Sequence, residues 1–170
     1  MREAEFALIA LPHLDAAYTL ARWLLRDRAA AEDVVQEAML RALTYFSSFR
    51  GGDARAWLQR IVRNTAYDRL ARTRDAREDP LDPDGAHGDL RDPGDTPEAA
   101  LQADEATRQL HAALAGLPAE LRECVVLREL EEMSYRDIAR MTGVPVGTVM
   151  SRLFRARQAL LRIGAKERLL

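Results

Sequence analysis

The sequence predicts an all-α protein made of two small helical domains, and three observations carry that expectation. Apolar residues recur at three- and four-residue spacings through both halves of the chain, in segments rich in Ala, Leu, Arg and Glu. No stretch sustains the alternation of apolar and polar residues that a half-buried strand needs. Between the two halves, Asp75 to Glu98 holds four of the seven prolines and three of the nine glycines with no apolar period, which reads as a linker. The expected division is therefore 1–74, a linker 75–98, and 99–170. At 170 residues, 48% hydrophobic and 31% charged, the chain is long enough for two modest cores and too short for a large multi-domain enzyme.

In the first domain a helix or helix pair is expected up to about Leu25, then a helix from about Ala30 to Phe46. A loop from Ser47 to Asp53 follows, and then a helix from Ala54 to about Arg72. In the first long helix, Val35, Met39, Ala42, Leu43 and Phe46 form the expected core stripe. In the second, Trp57, Leu58, Ile61, Val62 and Thr65 are expected to face inward. The second domain gives helices from about Pro97 to Ala115, Pro118 to Leu130, a short one after Ser134, and Val146 to about Ile163. Ser134 is placed to cap the short helix and Asp137 to favour its positive end. Gly143 falls where the helix must stop with a positive φ.

Charge is distributed unevenly. Residues 1–74 carry 12 basic and 9 acidic side chains, the linker 2 and 9, and residues 99–170 carry 11 and 9, so the chain's net charge of −2 conceals two mildly basic domains flanking an acidic tether. As a flexible coil such a tether spans about 25 to 30 Å. The single cysteine, Cys124, excludes an intramolecular disulfide and a multi-cysteine zinc site, and its setting beside Val125 and Leu127 reads as a small buried hydrophobe. His13, His87 and His111 have no metal-ligand spacing. No nucleotide-binding glycine loop or catalytic triad pattern occurs, so no enzyme, metal, cofactor or small-molecule substrate is expected. Pro12, His13 and Asp15 interrupt the apolar N-terminus, which leaves neither a signal peptide nor a membrane span and points to the cytoplasm.

Three surfaces stand out. From Ser134 onward the text SYRDIARMTGVPVGTVMSRLFRARQAL places Ala139, Gly143 and Val149 at helix-turn-helix spacing: a small residue at the helix crossing, a turn glycine, and an inward apolar residue on the second helix. Val149, Leu153, Ala156 and Leu160 then share the buried face. Gly147, Ser151, Phe154, Arg155 and Gln158 lie opposite, flanked by Met150, Arg152 and Arg157, a basic and hydrogen-bonding surface suited to the DNA major groove. On the helix around DVVQEAMLRAL, Asp33, Glu37 and Leu40 face away from the core, with Gln36 and Arg41 beside them. That face reads either as a docking surface with an apolar anchor or as a solvated face with one tolerated leucine. On the next helix Arg60, Arg63, Asn64, Tyr67 and Arg74 gather on one side. Cations for phosphates, a π face and an amide fit strand-separated DNA, and the preceding loop with Phe49, Arg50, Gly51 and Gly52 could hold an unstacked base. A polar helix face after a flexible turn is the alternative.

Taken together, DVVQEAMLRAL, RNTAYDRL from Arg63, LPAELRECVVLRELEEMSYRDIA from Leu117 and VPVGTVMSRLFRARQAL from Val144 resemble an extracytoplasmic-function (ECF) sigma factor of bacterial RNA polymerase, in order and spacing, over nearly the whole chain. The resemblance implies that Asp33, Gln36, Glu37, Leu40 and Arg41 bind the clamp helices of the largest polymerase subunit. It implies that Phe49, Arg50, Arg60, Arg63, Asn64 and Tyr67 recognise and melt the minus-10 element. It assigns the minus-35 element to Gly147, Thr148, Met150, Ser151, Arg152, Phe154, Arg155 and Arg157. Core polymerase, contacted also through its flap, promoter DNA and an anti-sigma factor are the implied partners. The linker would thread toward the active-site cleft and RNA exit path, and the protein would lie at the nucleoid when active or be held at the membrane by the anti-sigma factor. Met150 stands where relatives often carry a basic residue, so no base preference is carried over. A conventional helix-turn-helix regulator, binding duplex operators without polymerase, is the alternative from the residues alone.

Overall fold

The computed structural model describes residues 1–76 and 105–168, and the chain divides into two compact units, Met1–Gly88 and Asp89–Leu170. Every regular element among the described residues is helical. Most of the segment expected as a linker, and the start of the helix expected from Pro97, lie outside the described residues.

In the first unit, α1 spans Arg2–Ala10 and tightens into a 3-10 turn, Leu11–His13. Pro12 has no N–H to continue the α ladder, so the chain restarts as α2, Leu14–Leu25. Ala17, Leu20, Ala21 and Leu24 of α2 are buried, a stripe at three- and four-residue spacing. Arg26 ends α2 in the left-handed region, φ 59°, its N–H bonded to the Arg22 carbonyl. Asp27 then opens α3, Arg28–Thr44, by accepting the Ala30 N–H on Oδ1 at 3.2 Å. This cap explains why α3 starts two residues before the expected Ala30.

The buried stripe of α3 is Ala31, Val34, Val35, Ala38 and Ala42. Met39 and Leu43, expected in the core, are only half-buried. Helix α3 packs against both α2 and α4, Ala54–Ala76. Small side chains at 31, 38 and 42 let those backbones approach, which turns the inner face by roughly 60° from where the larger side chains alone would put it. Helix α4 is capped by Asp53, whose Oδ1 accepts the Ala56 N–H at 3.1 Å, and buries Leu58, Gln59, Val62, Thr65 and Ala66. Trp57 and Ile61 are half-buried rather than enclosed. Helix α4 also carries Asp75 and Ala76, two residues past the expected start of the linker. Gln59 lies in the core with its Nε2 unpartnered.

In the second unit, α5 spans Glu105–Ala115 and α6 spans Ala119–Val125. The Arg122 side chain is buried beneath the end of α5 and donates from Nη1 to the carbonyls of Leu117 at 2.8 Å and Ala115 at 3.3 Å, giving the negative end of that helix a cation. Cys124 is buried, as its apolar setting indicates. The helix expected to run to Leu130 instead widens into a π turn, Val126–Leu130, whose Glu131 N–H reaches the Val126 carbonyl. Arg128 closes the following turn, donating to the Met133 carbonyl at 2.9 Å and lying 4.7 Å over the Tyr135 ring. Helix α7, Tyr135–Thr142, is capped by Ser134 Oγ, which accepts the Asp137 N–H at 3.1 Å. Gly143 ends it at φ 73°, and α8, Val146–Arg168, follows. Ile138 and Met141 of α7 and Val149, Leu153 and Ala156 of α8 close this core, with Leu160 half-buried.

Candidate protein and nucleic-acid interfaces

The outward face of α3 centres on Asp33, Gln36 and Leu40, and it is tied to α4. Leu40 is 67% exposed. Gln36 and Asp33 are exposed beside it, and Asp33 Oδ2 lies 3.5 Å from Arg69 Nη1. Glu37 and Arg41, one turn apart, pair at 2.7 Å. Arg41 also donates to Asp68 Oδ2 at 3.0 Å and Thr65 Oγ1 at 3.4 Å, and Glu37 reaches Arg72 at 3.8 Å. The hydrogen bond to Asp68, with the charges of Glu37 and Asp68, raises the Arg41 pKa above its ordinary value against the opposing effect of burial. Asp68, Arg69 and Arg72 were not singled out from the sequence. Their signal is the cross-helix alternation of charge between α3 and the last turns of α4, which appears only once the two helices are placed side by side.

Arg60, Arg63, Asn64 and Tyr67 share the other side of α4. Arg63 sits 4.3 Å over the Tyr67 ring and donates to Asn64 Oδ1 at 3.3 Å, so cation, π face and amide form one continuous patch. Arg60 and Arg50 are exposed. Phe49 is half-buried: its ring stacks on Phe46 at 6.2 Å and meets Trp57 at 4.9 Å, in a cluster that Phe6 completes at 5.5 Å from Phe46. The loop turns on Gly51 and Gly52, at φ 85° and 96°, and a Cβ on either would point into open space. Beside it opens a cleft of 450 Å³ lined by Arg2, Glu5, Ile9, Phe46, Ser47, Phe49 and Gly51. The contribution of α1 to that cleft joins residues some forty positions apart and is invisible to local reading.

In the second unit Gly147, Met150, Ser151, Phe154 and Arg155 are exposed on α8, Thr148 and Arg152 are half-buried, and Ser151 Oγ donates to the Thr148 carbonyl at 3.0 Å. Arg157 is exposed at the flank, 3.8 Å from Glu129 of the π turn. A cleft of 450 Å³ between α7 and the start of α8 is lined by Arg136, Ala139, Arg140, Val144, Pro145 and Val146. Arg136 and Arg140, outside the sequence-based set, add cations to the cleft on the first helix of the motif. Among the described residues no group of three metal-ligating side chains occurs, and no helix is long and apolar enough to cross a membrane.

Comparison with known proteins matches both units. Residues 9–76 fit the family model of sigma-70 region 2, and residues 107–160 fit that of sigma-70, region 4. The chain is 38% identical over 162 residues to the RNA polymerase sigma-H factor of Pseudomonas aeruginosa, covering 91% of this chain and 83% of that one. It is 43% identical over 135 residues to the ECF RNA polymerase sigma-E factor of Haemophilus influenzae, covering 75% and 71%. Among solved structures it resembles the sigma factor RpoE, crystallised with the anti-sigma factor NepR from Bartonella quintana, with a TM-score of 0.75, 28% identity, and coverage of 96% of this chain and 97% of that one. These matches displace the reading as a conventional helix-turn-helix regulator. With region 2 and region 4 present in that order and close relatives of this one type, the chain belongs to the ECF family of RNA polymerase sigma factors.

Proposed function

We propose that the protein is a non-catalytic cytoplasmic initiation factor whose two units divide promoter recognition between them. The α3 face with Asp33, Gln36, Glu37, Leu40 and Arg41 docks on the clamp helices of core polymerase. The patch of Arg60, Arg63, Asn64 and Tyr67, with Arg50 and Phe49 at the neighbouring cleft, takes the opened minus-10 strand. The outward face of α8, from Gly147 to Arg157, reads the minus-35 duplex while its unit also meets the flap. The linker 75–98 joins 1–74 to 99–170 through the polymerase cleft. An anti-sigma factor that covers these same faces keeps the protein silent, as the pairing of the Bartonella relative with NepR suggests.

The observation that carries this reading is the division of labour on one helix pair. Helix α3 turns an acidic, leucine-centred face outward. Helix α4 supplies arginines to that face and, on its other side, a cation, ring and amide in contact. The test is to mix the purified chain with sigma-free bacterial core polymerase and a promoter library. Co-elution with core and aligned transcription starts are expected. Failure to bind core, together with salt-sensitive duplex binding by the chain alone, overturns the proposal.

A further inference from the structure

The outward face of α8 is divided lengthwise. Met150 is 53% exposed and Phe154 63% exposed, while Val149, Leu153 and Ala156 behind them are buried. At 100° per residue Met150 and Phe154 lie along one flank, with Arg157 at its outer edge drawn toward Glu129; Ser151 and Gln158 run down the middle, and Thr148, Arg155 and Arg152 occupy the other flank. Hydrogen-bonding chemistry explains the second flank but not the exposure of Met150 and Phe154 on the first.

In the major groove an apolar side chain has one good partner. Guanine offers N7 and O6, cytosine an amino group, adenine N7 and an amino group, and only thymine presents a methyl. Methionine or phenylalanine pressed on the polar edges strips their water and leaves them unpaired, whereas against a methyl it buries apolar surface. We infer that Met150 and Phe154 select thymines in the upstream element through their 5-methyl groups, with Arg155 and Ser151 taking hydrogen-bonding edges alongside; this rests on the reading of α8 as the minus-35 reader. One helical turn separates the two side chains by about 5 to 6 Å, and bases on one strand rise by about 3.4 Å, so the two methyls belong to base pairs no more than two steps apart.

The test uses holoenzyme assembled from the full chain and core polymerase. Duplexes are selected from a pool randomised across the upstream element, and each thymine of the selected sequence is replaced in turn by deoxyuridine, which removes the methyl and keeps every hydrogen-bonding group. Two replacements, within two base pairs of each other, are expected to weaken binding by about fourfold each, and the others to be silent. Phe154→Ala should erase the sensitivity at one position and Met150→Ala at the other, each variant binding core as the parent does. Tolerance of deoxyuridine throughout, or variants as sensitive as the parent, overturns the inference and leaves α8 as a reader of hydrogen-bonding edges. Loss of core binding by Phe154→Ala with the deoxyuridine response intact assigns that flank to a protein contact and also overturns it. Selection of no upstream sequence at all removes the minus-35 assignment itself, an outcome distinct from methyl indifference.

Discussion

The two units present their binding faces in different ways. On the first, Asp33, Glu37 and Arg41 are held by arginines and an aspartate from the neighbouring helix, and Phe49 is clamped among aromatic rings. On the second, α8 stands with Met150, Phe154 and Arg155 in solvent, and its one ion pair among the described residues, Arg157 with Glu129, lies at the flank. A pre-arranged surface loses less side-chain freedom on binding and suits a partner of fixed shape. A sparse surface keeps its rotamers free to adjust to a partner of variable shape. The contrast predicts that damage to the first unit is all-or-none and damage to the second is graded by base position.

The largest effect should come from breaking the docking face. Asp33→Arg combined with Leu40→Ala is expected to abolish co-elution with core polymerase while circular dichroism and thermal unfolding stay near the parent's, because both side chains are exposed. Unchanged affinity would remove that face from the function. Next, replacing Asn64 and Tyr67 by Ala should reduce open-complex formation by roughly two orders of magnitude, since a stacked base is worth about 1 to 3 kcal/mol and the amide adds to it. Permanganate reactivity of unpaired thymines should fall while duplex retention on core persists; parallel losses would make the patch a duplex contact.

A smaller, position-specific effect is expected on α8. Arg155→Ala should cost about 1 to 3 kcal/mol of discrimination at one upstream base pair, measured by competition among single-base variants, whereas equal losses at every pair would mark a phosphate contact. The smallest effect probes the lattice on the first unit. A double-mutant cycle of Arg41→Ala and Asp68→Ala should give a coupling of about 0.2 to 1 kcal/mol in chemical unfolding, the usual worth of a solvent-screened pair. The raised Arg41 pKa stabilises the fold below the ordinary arginine value while the facing carboxylates are ionised, and is lost as pH rises through the raised value, so this coupling should be constant between pH 6 and 8. A titration within that window would place its origin elsewhere.

Legibility followed the range of the interactions. The α7–α8 turn is readable because its determinants are local: Ser134 caps, Gly143 adopts a positive φ, and Val149 points inward, all within sixteen residues. The inner face of α3 is not legible from the larger apolar side chains, since Ala31 and Ala38 carry little hydrophobic weight and their burial reflects helix approach. Phe49 reads as a loop residue until Phe6, Phe46 and Trp57 come together around it. The π turn after Val125 has no compositional marker, and Arg136 and Arg140 gain meaning only from the cleft they line.

Arg41 joins a carboxylate on α3, the helix proposed to meet polymerase, to one on α4, the helix proposed to meet DNA, and Asp68 is the chain neighbour of Tyr67. A ligand that draws Glu37 away alters what Arg41 contributes to Asp68, and a strand that moves Asp68 alters what Arg41 contributes to Glu37. Linkage makes such influence mutual and equal: by whatever factor core polymerase tightens the grip on single-stranded DNA, the strand tightens the grip on core by the same factor. Promoter opening would then lock the initiation factor in place, and closing of the strand would loosen it.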